Sequence, residues 1–330
     1  AAAKPTTASV KISDIQITSA AGSYIAVERG YFKDEGITAE LVLVPTVQQI
    51  TALLSGGVDV AGAALGPQLY NAMARGVNFK LVADHGSNLK NASAGGVIIR
   101  KDLVDSGKYK GPADMKGLNV FHPQPPTTGE IALEKYLNMG GLTLKDINTS
   151  PIQNFPDVIP ALSNKAVDAA YYQEPFSTIA VTQNLAVRGP IGYDIYPNQQ
   201  IATLVVNNKI SGDLAVRYLK AYTRGIRDYV KAFIDKDQAM FDQIVPILIK
   251  HTTVKDRATY QKAIPSGLKP DPIPNVQGIL SDFQWFIGHG LINQKFDLAP
   301  YIDTAMVQEA IRQLGPASSG AASSRPSTSG

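Results

Sequence analysis

Four histidines are the residues best suited to chemistry in this chain, and they lie at positions 85, 122, 251 and 289. No two of them have the HxxxH or HExxH spacing with which a helix presents two imidazoles to a metal ion. We therefore predict no metal site. A structural role is the first interpretation for each histidine. Ligand contact is the second for His85 and His122, because both lie at the ends of predicted strands.

The usual nucleophile and cofactor motifs are also missing. The chain contains no cysteine, which excludes thiolate nucleophiles, iron–sulfur clusters and zinc–cysteine sites. It has neither the GxSxG elbow of serine hydrolases nor the GxxxxGKS/T loop that binds phosphate. We predict that the protein is not an enzyme and that it binds no cofactor.

Carboxylates occur in two places where acid–base chemistry could be imagined. Glu28, Asp34 and Glu35 belong to the stretch ERGYFKDEG, whose charge density is typical of a solvated helix end and turn. Glu174 precedes a predicted helix, where it could pair with an amino group of a ligand or cap its own helix. An enzyme that uses Glu174 or His122 on a small organic acid is the alternative to a protein that only binds.

Charge and hydropathy narrow the class of partner. The formal net charge is only +3 at pH 7, whereas proteins that bind nucleic acid usually carry concentrated basic patches. No window approaches the roughly 18 consecutive apolar residues of a membrane-spanning helix. We expect a small-molecule ligand and no nucleic acid.

Short β-rich runs alternate with helical stretches from Val10 onwards, as in Val10–Ile17, Gly22–Arg29 and Ile37–Val44. Proline begins several helical stretches and glycine ends them, which is the expected asymmetry of helix termini. The alternation restarts at Pro112 and gives way to helices alone after Ile201–Val206. This pattern predicts an α/β fold with two units, each with a mostly parallel sheet.

One helix–turn–strand segment occurs twice. ALLSGGVDVAGAALGP, residues 52–67, aligns without gaps with ALSNKAVDAAYYQEP, residues 161–175, so that Asp59 falls on Asp168. The residues after the shared segment differ, being small in the first copy and aromatic and acidic in the second. Because α/β sheets bind ligands beyond the carboxyl ends of their strands, we predict that the two copies contact different sides of one ligand.

Several stretches carry a family resemblance. YIAVERGYFKDEGITAELVLV, ALLSGGVDVA, PADMKGLNV and ALSNKAVDAAYYQEPF are similar to landmarks of the solute-binding proteins of nitrate, sulfonate and taurine ABC importers, which include NMT1/THI5-like proteins. The resemblance covers residues 10–314. It implies a two-lobed type II periplasmic-binding-protein fold with two hinge crossings. Lobe 1 would comprise residues 10–100 and 200–314, lobe 2 residues 101–199, and residues 315–330 would form a disordered tail.

The resemblance also implies partners and a location. We expect a monomer that delivers its ligand to an ABC permease. The first residues, AAAKPTTAS, read like a mature N-terminus after signal removal, although a cytosolic start reads similarly. A periplasmic or other extracytoplasmic location is therefore expected. The iron-dependent chemistry of THI5-like enzymes needs a cysteine-rich motif that this chain lacks.

The candidate ligand contacts lie where predicted strands pass into helices, since helix N-termini present free N–H groups. The resemblance gives a ligand-contacting role to the helix start at Thr127 and Thr128. Strand alternation allows only one of Tyr171 and Tyr172 to face the cleft. The full set is Ser19, Gly22, Ser23, Tyr24, Thr46, Leu65, Gly66, Gln68, Asn91, His122, Thr127, Thr128, Asn154, Phe155, Tyr171, Tyr172 and Glu174.

These connections contain many aromatic residues but, apart from Lys90, no lysine or arginine. A small oxyanion would normally be given cationic or dense donor partners. An aromatic pocket with few polar anchors suits a flatter organic ligand. Sulfonates, aromatic carboxylates, pyrimidines and flavin-like rings, including vitamin precursors, remain open.

Overall fold

The computed structural model describes residues 7–45, 48–93, 95–122, 126–152 and 154–317. Two five-stranded sheets form its framework, and their strands are arranged in the same way. This confirms the predicted α/β fold with two units. The prediction of mostly parallel sheets was wrong, because each sheet has two parallel and two antiparallel strand pairings. Of the predicted tail, residues 318–330 lie outside the described part of the chain, as does Thr46.

The first sheet has the strand order β2-β1-β3-β10-β4. β1 pairs in parallel with β2 and β3, whereas β10 runs antiparallel to both β3 and β4. The strands are β1 (Ala8–Asp14), β2 (Ile37–Leu43), β3 (Val60–Ala64), β4 (Lys80–Ser87) and β10 (Gln200–Val206).

The second sheet repeats this arrangement with the order β7-β6-β8-β5-β9. β6 is parallel to β7 and β8, and β5 is antiparallel to β8 and β9. The strands are β5 (Gly95–Arg100), β6 (Asn119–Phe121), β7 (Asn148–Thr149), β8 (Ala169–Gln173) and β9 (Ala186–Ile191).

The strand β5 shifts one predicted boundary. Residues 96–100 were expected in lobe 1, but β5 pairs with β8 and β9 of the second sheet. The alternation of apolar residues identifies a strand without specifying its sheet, so the sequence could not place it. The chain leaves the first sheet after β4 and returns at β10, which gives the two crossings.

Helices cover both faces of the sheets. Because each face is covered, the inner strands β3, β5, β8 and β10 are buried along nearly their whole length, and buried clusters lie on either side of each sheet. The helices are α1 (Ala21–Glu28), α2 (Tyr31–Asp34), α3 (Gln49–Leu54), α4 (Pro67–Ala74), α5 (Lys101–Asp105), α6 (Thr128–Met139), α7 (Val158–Ser163), α8 (Phe176–Thr182), α9 (Gly192–Ile195), α10 (Gly212–Phe233), α11 (Gln238–His251), α12 (Arg257–Lys262), α13 (Val276–Gly288) and α14 (Ala305–Leu314).

The repeated segment has the same structure in both units. α3 leads into β3, and α7 leads into β8. The Asp59 carboxylate accepts the backbone N–H of Lys11 at 2.9 Å, and the Asp168 carboxylate accepts that of Asn119 at the same distance. Each carboxylate thus joins its own strand to the neighbouring parallel strand. Lys209 neutralises Asp59 and Arg100 neutralises Asp168.

The two units also touch beside the crossings. The indole Nε1 of Trp285, in α13 of the first unit, donates to Glu134 of α6 in the second unit at 2.7 Å. The amide of Gln199 donates to the backbone carbonyl of Thr128 at 2.9 Å. Among the described residues, no helix is long and apolar enough to cross a bilayer.

Candidate functional site

A cleft lies between the two sheets and consists of two adjoining chambers. Ile15, Ile17, Gln49, Ala64, Thr127 and Phe155 line both of them. We call the first the histidine chamber, because its lining adds His85, Gly62, Tyr171 and Glu174. The second, the proline chamber, adds Pro45, Pro126 and Pro156. Residues of both units line each chamber, so one ligand could contact both units.

Eight of the predicted contact residues line this cleft. They come from five of the predicted strand-to-helix connections. Their role in binding stays a prediction that rests on this location. They are Ser19, Gly66, Gln68, Thr127, Asn154, Phe155, Tyr171 and Glu174.

The first helix does not supply the expected contacts. Gly22 faces α10, since a Cβ at this position would lie 2.6 Å from the side chain of Ile226. Ser23 and Tyr24 are buried. The Tyr24 hydroxyl donates to Asp14, and its ring stacks on His251 with centroids 4.9 Å apart. These three residues pack the helix against its neighbours, and none of them lines either chamber.

The start of α6 is held by the first unit. The backbone N–H of Thr128 donates to the carbonyl of Leu65 at 3.1 Å, and its hydroxyl donates to the carbonyl of Ile201 at 2.9 Å. Leu65 is itself fully buried. Thr128 and Leu65 therefore connect the two units through hydrogen bonds and do not line the cleft, whereas Thr127 does.

Two further predicted residues lie away from the cleft lining. His122 is buried and contacts Glu130 at 3.4 Å and Thr149 at 3.1 Å. Asn91 is exposed with a φ of 62° in the turn between β4 and β5, a conformation that asparagine tolerates well. A strand-end position in the sequence did not distinguish such turn and core residues from cleft residues.

The paired tyrosines divide as the alternation of a strand requires. Tyr171 lines the histidine chamber, and Tyr172 packs away from it among Phe121, Phe155 and Phe176. The Tyr171 hydroxyl is buried, so the ring provides the accessible surface. Burial raises the pKa of Tyr171 to about 12. The residue therefore presents a neutral aromatic surface.

Phe155 extends the aromatic surface into both chambers. Its ring is stacked on Phe176 with an interplanar angle of 7° and on Tyr172 with an angle of 24°. The hydroxyl of Tyr172 donates to the backbone carbonyl of Phe155, which fixes the loop that carries the ring. A flat apolar ligand could extend this stack.

Glu174 is engaged by its own unit. One carboxylate oxygen pairs with the guanidinium of Arg188, and the other accepts the backbone N–H of Thr178 at 3.2 Å. These bonds fit the helix-capping interpretation of Glu174. Among the described residues that line either chamber, none is a lysine or an arginine.

Several other residues of the chamber lining lie outside the predicted set. Gln49 is buried, and its amide donates to the Ser13 hydroxyl at 2.9 Å. Ser266 reaches the cleft from the loop before α13, and Ile201 from the beginning of β10. The prediction rested on strand-to-helix connections, and neither a loop between two helices nor a returning strand belongs to that class. His85, for which ligand contact was the second interpretation, lines the histidine chamber.

Comparisons with solved structures show the same fold. The periplasmic aliphatic sulphonate-binding protein SsuA from Escherichia coli superposes with a TM-score of 0.71 at 17% identity, covering 90% of this chain and 92% of that one. The periplasmic nitrate-binding protein NrtA from Synechocystis PCC 6803 gives 0.73 at 15% identity, covering 94% and 90%. These likenesses confirm the two-lobed binding-protein fold.

An enzyme shares the architecture as well. The desulfurization enzyme DszB superposes with a TM-score of 0.61 at 14% identity, covering 94% of this chain and all of that one. The fold therefore does not by itself separate binding from catalysis. Among curated protein sequences, none matches this chain.

The sequence itself establishes the family. A sequence model of the NMT1-like family matches residues 3–224, about two thirds of the chain. The match spans the ten strands of the described residues and both copies of the repeated segment. The chain therefore belongs to the NMT1-like family.

Proposed function

We propose that this protein is an extracytoplasmic solute-binding protein that captures a small organic molecule between its two units and delivers it to an ABC importer. The observation that carries the proposal is the cleft itself. Its lining comes from both sheets and from β10, where the chain crosses back to the first unit. A ligand there makes contacts with both units at once, so it stabilises a closed arrangement in which the units approach each other.

The lining favours an organic ligand over a small oxyanion. Tyr171 and Phe155 offer aromatic surface, while Ile15, Ile17 and Ala64 add aliphatic surface. Sulfate-like or nitrate-like anions need cations or several converging donors, and the described lining provides no cationic side chain. An aromatic or heterocyclic ligand suits this chamber better.

The two residues that an enzyme would use, Glu174 and His122, are already engaged in contacts within the protein. Glu174 is held by Arg188 and Thr178, and His122 is buried against Glu130 and Thr149. A general acid or base must reach the reacting proton. Both carboxylate oxygens of Glu174 are already engaged although the residue lines the histidine chamber, and His122 lies outside the lining. With no cysteine in the sequence, thiolate catalysis is excluded. We therefore assign binding without turnover.

A thermal-shift screen followed by calorimetry tests the proposal. The four ligand classes named above are screened, since a ligand that binds the native state raises the melting temperature. We expect saturable binding of one molecule per chain, with the ligand recovered unchanged. Conversion of the bound compound into a product would contradict the proposal.

A further inference from the structure

The floor of the histidine chamber contains a buried imidazole with one unused nitrogen. His85 lies near the end of β4 and is 2% exposed. Its Nε2 atom lies above Gly62 of β3, in space that any larger residue would need, because a Cβ at Gly62 would be 2.0 Å from it. Within the described residues, Nε2 has no hydrogen-bond partner, and both His85 and Gly62 line the chamber.

The other ring nitrogen determines the protonation of the imidazole. The hydroxyl of Tyr222 donates to the backbone carbonyl of Asp84 at 2.9 Å. A carbonyl can only accept, so the hydroxyl proton is committed there. Nδ1 of His85 lies 3.1 Å from the same hydroxyl oxygen, so both contacts are hydrogen bonds only when Nδ1 carries a proton and donates it to this oxygen. Nε2 of the neutral ring is left with a lone pair.

The surroundings keep the imidazole neutral. Burial lowers the pKa of His85 from 6.5 to about 4, so the ring carries no charge near neutral pH. Nε2 opens onto the chamber rather than being sealed in the core, and an acceptor that a bound molecule covers without offering a donor is unfavourable. A donor is therefore expected from a molecule that enters the chamber.

We propose that Nε2 of His85 accepts a hydrogen bond from an N–H or O–H group of the bound solute. This inference rests on the proposed binding function and specifies its ligand class. The solute is an uncharged aromatic or heterocyclic compound with a donor on its edge. A sulfonate or carboxylate oxygen at this position would face a lone pair, with no cation in the described lining to offset the repulsion.

The first test examines the imidazole in the free protein. Nitrogen-15 NMR distinguishes a protonated ring nitrogen from a bare one. We expect His85 to show a protonated Nδ1 and a bare Nε2 at neutral pH. The Tyr222→Phe variant, which lacks the accepting hydroxyl, is expected to shift part of the population to the other tautomer. A protonated Nε2 in the wild-type protein would overturn the proposal whatever ligand is found.

The second test uses matched probes that differ by one donor. Indole is compared with 1-methylindole, phenol with anisole, and benzamide with N,N-dimethylbenzamide, with benzoate and benzenesulfonate as oxyanions. Calorimetry with the wild-type protein is expected to show at least one donor probe binding about tenfold more tightly than its methylated partner. In His85→Phe, checked for folding by thermal melting, that ratio is expected to fall to within about twofold.

The outcomes separate this inference from the function on which it rests. The proposed hydrogen bond to His85 is overturned if methylated or oxyanionic probes bind as tightly as the donor probes. It is also overturned if the wild-type protein binds none of the donor probes. Saturable binding of an unchanged oxyanion would do so while leaving the solute-binding function intact. Consumption of a donor probe would overturn the binding function but not the hydrogen bond.

Discussion

The Nε2 atom of His85 occupies the space that a side chain at Gly62 would fill, with only 2.0 Å between that nitrogen and the ideal Cβ position. The two residues lie on β4 and β3 of the first sheet, with β10 between these strands. Gly62 therefore leaves room for the imidazole to lie against the sheet. The position of the His85 imidazole in the cleft floor thus depends on Gly62, a residue with no side chain.

Substitution of Gly62 tests this dependence. The Gly62→Ala change places a methyl group inside the His85 ring position, so we expect the free energy of unfolding to fall by about 1–3 kcal/mol, as overpacking does. Any donor-specific binding should also weaken. Chemical denaturation measures the first effect and calorimetry the second.

The control is Gly86→Ala in the same chamber. A Cβ at Gly86 meets its nearest atoms at 3.9 Å, an ordinary contact distance. Its effect on stability is expected to stay within about 0.5 kcal/mol. Equal effects of the two substitutions would show that the ring does not occupy the position described.

Acid should destabilise the protein through His85. Burial lowers the pKa of His85 to about 4 in the folded chain, from the ordinary value of 6.5 that applies in the unfolded chain. The unfolded chain therefore binds a proton at a higher pH than the folded chain does. The resulting stability is complete above pH 6.5 and is lost as the pH falls towards 4. The difference of 2.5 pKa units corresponds to about 3 kcal/mol.

The His85→Gln variant isolates this contribution from those of the carboxylates. Urea unfolding between pH 7 and 4 is expected to show a loss of stability about 3 kcal/mol smaller in the variant than in the wild-type protein. Parallel stability curves would mean that the imidazole is not buried in its neutral form.

Tyr171 should contribute to affinity and Tyr172 to the support of the cleft. Tyr171→Ala removes an aromatic surface from the histidine chamber, so we expect the Kd of the solute to rise by more than about fivefold, or about 1 kcal/mol. Tyr172→Phe removes only the hydroxyl that bonds to Phe155 and is expected to change Kd by less than about twofold. An unchanged Kd in Tyr171→Ala would refute the aromatic pocket.

Glu174 should affect stability rather than affinity. Glu174→Gln weakens the pair with Arg188, whose side chain is 27% exposed, and we expect the free energy of unfolding to fall by about 1–2 kcal/mol. The Kd of the solute should change little. A large loss of affinity with stability unchanged would instead place the carboxylate in contact with the ligand.

Much of the fold could be predicted because local patterns determine it. Asp59 and Asp168 carry out the same bonding to neighbouring strands, so the repeat in the sequence reflected a real structural repeat. The pairing of β5 with the second sheet could not be predicted from local sequence patterns, because it depends on which strands distant in the sequence lie beside it.

The site was predictable in part for a similar reason. Tyr171 and Thr127 follow from strand ends and helix starts, which point to one edge of each sheet. Tyr24 has the same sequence context but packs against His251 from α11, more than 200 positions away. The roles of His85 and Gly62 likewise arise only when β4 and β3 meet in one sheet.

Native mass spectrometry of the purified chain with the donor probes tests the central claim most directly, when it is combined with chromatography of the compound released after prolonged incubation. We predict one probe molecule per chain, released with its mass unchanged at every time point. A product that accumulates with time would contradict the assignment of this protein as a solute-binding protein.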